Sequence, residues 1–155
     1  MASNTAKPAE LQVIAWFLEA GWEVFAPVVD LNGTDVVVRE PETRALLALQ
    51  VKHKEPGAKN EGRLTNDWVG GGPPFDYLVF YVPSKQRGVI VPSRRLRKEG
   101  KTFVFFKKDA EGYPTGPVRP LFAPFLFELT MVGAERRSSA FVSRFSEIHR
   151  RAPTL

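Results

Sequence analysis

The chain contains no cysteine, so disulfide frameworks and thiolate zinc sites are excluded from the start. Only two histidines occur, His53 and His149, which leaves no Ser-His-Asp triad and no His-rich metal site to assemble. No apolar run approaches membrane-spanning length, and residues 1–8 lack the basic-then-apolar pattern of a secretory signal. A cytoplasmic protein without membrane association is the expectation. No internal repeat is visible.

In bulk, what is present is ordinary. A length of 155 residues, 43% apolar and 25% charged, suits one soluble globular domain that buries a core without staples. The expectation is a single domain over 1–155, with its core at 8–106 and an irregular segment and helix over 107–155. The formal net charge of +5 is compatible with a polyanionic partner. Clustering says more than the total. Lys85, Arg87, Arg94, Arg95, Arg97, Lys98, Lys101, Lys107 and Lys108 crowd one central region, and Arg136, Arg137, Arg144, Arg150 and Arg151 form a C-terminal group.

Periodicity predicts a helix over 8–20, where Leu11, Ile14, Ala15 and Leu18 recur at helical spacing, Pro8 suits the first turn and Gly21 stops the last. Strands are expected at 22–26, 34–39, 46–52, 75–82, 87–91 and 102–106. Ser93 is expected to cap a short basic turn through Lys98, and a final amphipathic helix to run over 134–150. The Gly- and Pro-rich stretch 53–74 reads as a loop with a short helical turn near 63–69. Residues 109–124 read as irregular chain. A mixed sheet flanked by helices, α/β or α+β, follows from this order.

Two of these strands carry polar groups where buried strands stay apolar. Gly33-Thr34-Asp35-Val36-Val37-Val38 holds one carboxylate, and Leu47-Ala48-Leu49-Gln50-Val51-Lys52 holds an amide and an ammonium two residues apart. If Pro41-Glu42-Thr43-Arg44 is a four-residue hairpin loop, Glu40 faces Ala45, Val37 faces Ala48 and Asp35 faces Gln50. Asp35, Gln50 and Lys52 then share one face, with Val36, Val38, Leu47, Leu49 and Val51 on the other. Directly opposed residues sit about 5 Å apart at Cβ, close enough for Asp35 and Gln50 to hold one cation. A slip of one residue would bury the polar set, so the register is well specified.

Glu10 in a helix that ends at Gly21, Gly33-x-Asp35 before three apolar residues, and Gln50-x-Lys52 occur in that order. The combination resembles the active site of the PD-(D/E)xK nuclease superfamily, which includes Holliday-junction resolvases and many restriction endonucleases. The resemblance covers residues 8–92 and weakens thereafter. It implies a restriction-endonuclease-like core and a Mg²⁺ (or Mn²⁺)-dependent endonuclease that hydrolyses DNA, duplex or branched. By the same resemblance, Asp35, the Gln50 side chain and the Val51 backbone carbonyl hold the metal. Lys52 orients the attacking water, and Glu10 acts through a water. Many relatives work as dimers, which makes a homodimer an expectation here. Gln50 departs from the commoner Glu, and an amide carries no charge. The rival is therefore a catalytically inactive nucleic-acid-binding module on the same fold.

Taken singly, each residue has a plainer reading. Asp35 suits a turn after Asn32-Gly33, Lys52 a snorkelling strand end, and Glu10 a solvated helix face. Asp30 reads as a loop residue or as a further metal-supporting acid, and His53 as structural. Lys54, on the face of Lys52, reads equally as a phosphate contact or a solvated charge. The run Arg94, Arg95, Arg97 and Lys98 does so too. Trp68 and Tyr113 suit packing under a loop or stacking on exposed bases.

Overall fold

Helix α1 (Lys7–Glu19) closes with two backbone hydrogen bonds that define its stop. The Gly21 N–H donates to the Leu18 carbonyl, and the Trp22 N–H donates to that of Phe17, both at 3.0 Å. Gly21 sits at φ +85°, a left-handed conformation that side chains resist. The Trp22 ring then packs on Phe17, centroids 5.1 Å apart, supplying the apolar contact such a cap requires. The computed structural model describes residues 7–27, 34–53, 63–65, 74–98, 102–108 and 116–154.

The cap turns the chain into β1 (Glu23–Phe25), which pairs antiparallel with β2 (Val36–Arg39). β2 pairs antiparallel with β3 (Leu46–His53), and β3 runs parallel to β5 (Tyr77–Val82). β6 (Arg87–Pro92) and β8 (Leu126–Glu128) follow antiparallel, giving a six-stranded mixed sheet in the order β1-β2-β3-β5-β6-β8. A separate two-stranded ribbon joins β4 (Arg63–Thr65) to β7 (Thr102–Val104). With helices α2 (Ser93–Lys98) and α3 (Arg137–Arg151), the architecture is α+β.

One face of the sheet carries Val36, Val38, Leu47, Leu49 and Val51, all buried. It packs against α1 and α3 through rings: Trp16 lies 5.2 Å from Tyr81 and 4.7 Å from Phe141, and Phe17 lies 5.1 Å from Phe145. The other face carries Leu78 and Phe80, and Phe80 meets Phe105, which in turn meets Phe122. All six residues of β5 are buried, as expected for a strand covered on both faces.

The structure departs from the sequence expectation in two places. The expected helical turn near 63–69 is instead strand β4 at 63–65, with Leu64 opposite Phe103. That partner is remote in the chain, so no local pattern announces it. Chain after 116, expected to be irregular, bridges Val118 to Phe106, forms a 3₁₀ helix over Pro120–Phe125 and then adds β8. Three residues hold strand form there because β6 offers a free edge. Gly88, opposite Phe127, makes the approach feasible, since a Cβ there would stand 2.0 Å from the Phe80 carbonyl oxygen and 2.8 Å from the Phe127 ring.

Candidate functional site

The hairpin register is the expected one. Val37 lies opposite Ala48 and Val36 opposite Leu49, and the Glu40 N–H donates to the Ala45 carbonyl at 2.8 Å to close the four-residue loop. Glu40 fastens that loop by accepting from the Thr43 N–H and hydroxyl at 2.5 and 2.7 Å. These bonds, the backbone one foremost, hold its carboxyl below the usual range. The paired register ends with Val36 opposite Leu49, one residue before the expected Asp35–Gln50 pair.

At that position the ladder changes. Antiparallel alternation would give the Val51 N–H to the Thr34 carbonyl. Instead, the Asp35 carboxylate takes it, Oδ2 accepting at 2.8 Å, while the Asp35 N–H donates to the Leu49 carbonyl at 2.9 Å. The Thr34 hydroxyl donates to the Pro74 carbonyl at 3.0 Å, tying the start of β2 to the chain that enters β5. A strand edge is thus opened and then sealed by a carboxylate.

Gln50 is 8% exposed, and its Oε1 has no hydrogen-bond partner among the described residues. A buried acceptor left in that state costs about 1–3 kcal/mol. Lys52, on the same face two residues on, is half-buried opposite Phe80. A divalent hard cation wants oxygen donors, and Asp35 and Gln50 supply a carboxylate and an orphaned amide oxygen from neighbouring chain segments, Asp35 being bonded to the residue after Gln50. This donor set fits such an ion. Among the described residues, no three His, Cys, Asp or Glu side chains form a metal-holding group.

Glu10 is half-buried in the first turn of α1. That helix covers the sheet face opposite to the one carrying Gln50 and Lys52, so Glu10 belongs to another layer. The short turn after α1 sends β1 back along the helix, with Glu23 opposite Arg39 at the hairpin-loop end. The first turn of α1 therefore lies toward the sheet end where Asp35 and Lys52 stand. Asp30, Lys54, Trp68 and Tyr113 lie outside the described residues, as does the side chain of His53.

The basic clusters separate in the structure. Buried Leu96 pins α2, leaving Arg94 exposed and Arg95 half-buried. Arg97 and Lys98 complete the helix, their side chains outside the described part. In the order β3-β5-β6, α2 leaves the sheet two strands away from Gln50, about 10 Å across. The C-terminal group is committed internally at Arg144. Its guanidinium donates to the Leu126 and Pro124 carbonyls at 2.7 and 2.9 Å and pairs with Glu147 at 3.2 Å.

One residue matters more than its sequence position suggests. The Asp76 carboxylate accepts from the Ala48 N–H at 2.8 Å, its own N–H donates to the Ala48 carbonyl, and its carbonyl accepts from the Ser93 N–H. It locks β3 to β5 two residues before Gln50. An Asp just ahead of a strand is the signal that points to such a bracket. Beside it, a cleft of about 330 Å³ is lined by Leu47, Tyr77, Pro92, Arg94, His149 and Pro153, among others. There Tyr77 Oη and His149 Nδ1 share a 2.5 Å hydrogen bond. Burial, with the charge of Asp76 adding and that of Arg94 opposing, pushes the Tyr77 hydroxyl up to about 12.

The six-stranded mixed sheet with helices defines an α+β protein of endonuclease-like fold. A bacterial homing endonuclease, I-Ssp6803I, is similar in structure, with a TM-score of 0.55 and 24% identity, over 78% of this chain and 85% of its own. No protein-family model and no curated protein matches the chain.

Proposed function

We propose that this protein is a Mg²⁺- or Mn²⁺-dependent endonuclease of the PD-(D/E)xK type that hydrolyses DNA. The observation that carries the reading is the buried, unpartnered Oε1 of Gln50, one residue before the Val51 N–H that the Asp35 carboxylate accepts, in a chain whose fold is that of an endonuclease. Native proteins seldom leave such an acceptor dry without a purpose.

In this reading Asp35, Gln50 and the Val51 carbonyl hold the ion, which supplies Lewis acidity toward a phosphate oxygen and acidifies water. The Lys52 ammonium orients the attacking water and stabilises charge gathering on the phosphate oxygens. Glu10 accepts a hydrogen bond from a water at the same sheet end. The P–O ester bond breaks as water adds, and a proton passes to the departing oxygen. Arg94, Arg95, Arg97, Lys98 and Lys54 hold the DNA backbone by charge.

A second reading is favoured by one observation, the lack of a three-acid cluster among the described residues. On it, the protein binds nucleic acid without cutting. The deciding experiment offers linear, nicked, branched and single-stranded DNA with Mg²⁺ or Mn²⁺, beside EDTA and the Asp35→Ala and Lys52→Ala variants. Metal-dependent cutting lost in both variants is expected. Binding without cutting, unchanged in both, would replace the enzyme with the binding module. Size-exclusion measurements alongside test the proposed homodimer.

A further inference from the structure

The cleft beside Tyr77 lies on the helix-covered side of the sheet. Tyr77 shares a rung with Leu49 and packs against Phe145 of α3 at 5.2 Å, so the sheet itself separates it from the Gln50 face. At about 330 Å³ the cleft stands at the small end of ligand pockets, with room for one ring system and a head group. Leu47, Tyr77, Pro92 and Pro153 give it apolar walls, drawn from three strands and the turn after α3. Hydrogen-bond donors reach the same space from two helices: Ser93 and Arg94 at the start of α2, and His149 on the last turn of α3.

The His149 ring is held in advance. It stacks on Phe145 with 14° between the planes, and its Nδ1 meets the Tyr77 hydroxyl at 2.5 Å. Burial pushes that hydroxyl up to about 12, so it keeps its proton at neutral pH and donates it to Nδ1. Nε2 is then the protonated nitrogen of the neutral ring, a donor whose tautomer a buried partner fixes. The Asp76 carboxylate, also on the lining, is committed in part to the Ala48 N–H at 2.8 Å.

We propose that this cleft binds a small aromatic oxyanion, its ring against the apolar walls and its carboxylate or phosphate held by Arg94, Ser93 and His149. Arg94 is exposed at the mouth and supplies the charge-assisted bonds, which carry the most weight in such recognition. The hydroxyl of Ser93 and Nε2 of His149 add neutral donors, and an oxyanion is the head group that accepts from all three at once. The volume suits a single nucleotide or something smaller. Two sources present that chemistry, a free small molecule and the phosphorylated terminal nucleotide of a strand. Neither involves the Gln50 face, so the cleft keeps this role whether or not the hairpin cuts DNA.

The test follows the imidazole NMR signals of the full chain in EDTA, where only two histidines contribute. His149→Phe, which keeps a ring against Phe145, assigns the His149 signals by their loss. The probes are phenyl phosphate, phenylacetate, 5′-dAMP, a short oligothymidylate with and without a 5′-phosphate, and benzylamine as the cationic control. Phenyl phosphate and phenylacetate are expected to shift the His149 signals saturably at or below roughly 10 mM, and benzylamine to leave them unmoved. Calorimetry should show phenyl phosphate bound about ten-fold more weakly by Arg94→Gln, an exposed substitution that spares the fold. A shift by 5′-dAMP and by the oligothymidylate only when it is phosphorylated identifies a strand end as the source. A shift by the small anions alone identifies a free molecule. No saturable shift with any oxyanion, benzylamine bound as tightly as phenyl phosphate, or affinity unchanged in Arg94→Gln overturns the proposal.

Discussion

Asp35 Oδ2 accepts the Val51 N–H at 2.8 Å, at the rung where the β2–β3 ladder would otherwise continue through the backbone of Thr34. A side chain has replaced a strand bond. The carboxylate therefore has a structural task as well as its proposed metal-holding one, and substitution can separate the two.

Asp35→Ala leaves a backbone donor without its acceptor and is expected to cost about 1–3 kcal/mol of stability. Asp35→Asn keeps an acceptor oxygen at the same place and should cost less than about 1 kcal/mol, while losing the charge that metal binding needs. Urea unfolding of the two variants, read beside cleavage, checks both halves. Equal stability in the pair would mean that the Val51 N–H finds another partner.

The opposite sign is expected at Gln50. Gln50→Met removes a buried acceptor with no partner and keeps the volume of the side chain. Stability should rise by about 1 kcal/mol, which in a chain of this size raises the melting temperature by about 2–4 °C. Cleavage should vanish. A variant that is both more stable and inactive would mark Gln50 as a position where function opposes stability. A destabilised variant would mean that the amide is satisfied in solution.

Alkaline pH should weaken the fold through Tyr77. Its hydroxyl is pushed up to about 12 by burial and by Asp76, against an ordinary value of 10.0. The folded state thus holds that proton more tightly than the unfolded chain. The contribution is complete below about pH 10, where both states are protonated, and is lost as pH rises toward about 12. Its size is on the order of 2 kcal/mol. Tyr81, also raised by burial, acts in the same direction. Denaturant unfolding across this range should show the decline, and Tyr77→Phe should flatten it. A wild-type profile that stays level to pH 12 would contradict the burial-driven shift.

The hairpin was readable because alternation and a Pro-led loop leave one register in which Val36, Val38, Leu47, Leu49 and Val51 are buried together. The helices were readable for the same reason, since apolar spacing and Gly21 mark α1 without reference to the rest of the chain. β4 and β8 lack that advantage: each strand of three residues exists because a remote partner supplies its hydrogen bonds. Nor did the residue string show that the Asp35 carboxylate would seal a ladder, or that the Gln50 oxygen would go without a partner. Both depend on where β2 parts from β3, a property of the packed sheet. Asp76 is the intermediate case: it stands at the entry of the strand expected over 75–82, but the Ala48 bond that gives it meaning was not visible.

β3 is antiparallel to β2 on one side and parallel to β5 on the other, and the two pairings differ in the time they need. A hairpin closed by four residues can form within about 1–10 μs. The parallel pairing must first gather the long segment between His53 and Tyr77, a larger loss of chain entropy. The Asp35 carboxylate and the Val51 N–H can thus be brought together early. Docking of β5 then sets Leu78 beside Gln50 in the parallel register, so the neighbour that shares the rung of the amide arrives from the slower pairing.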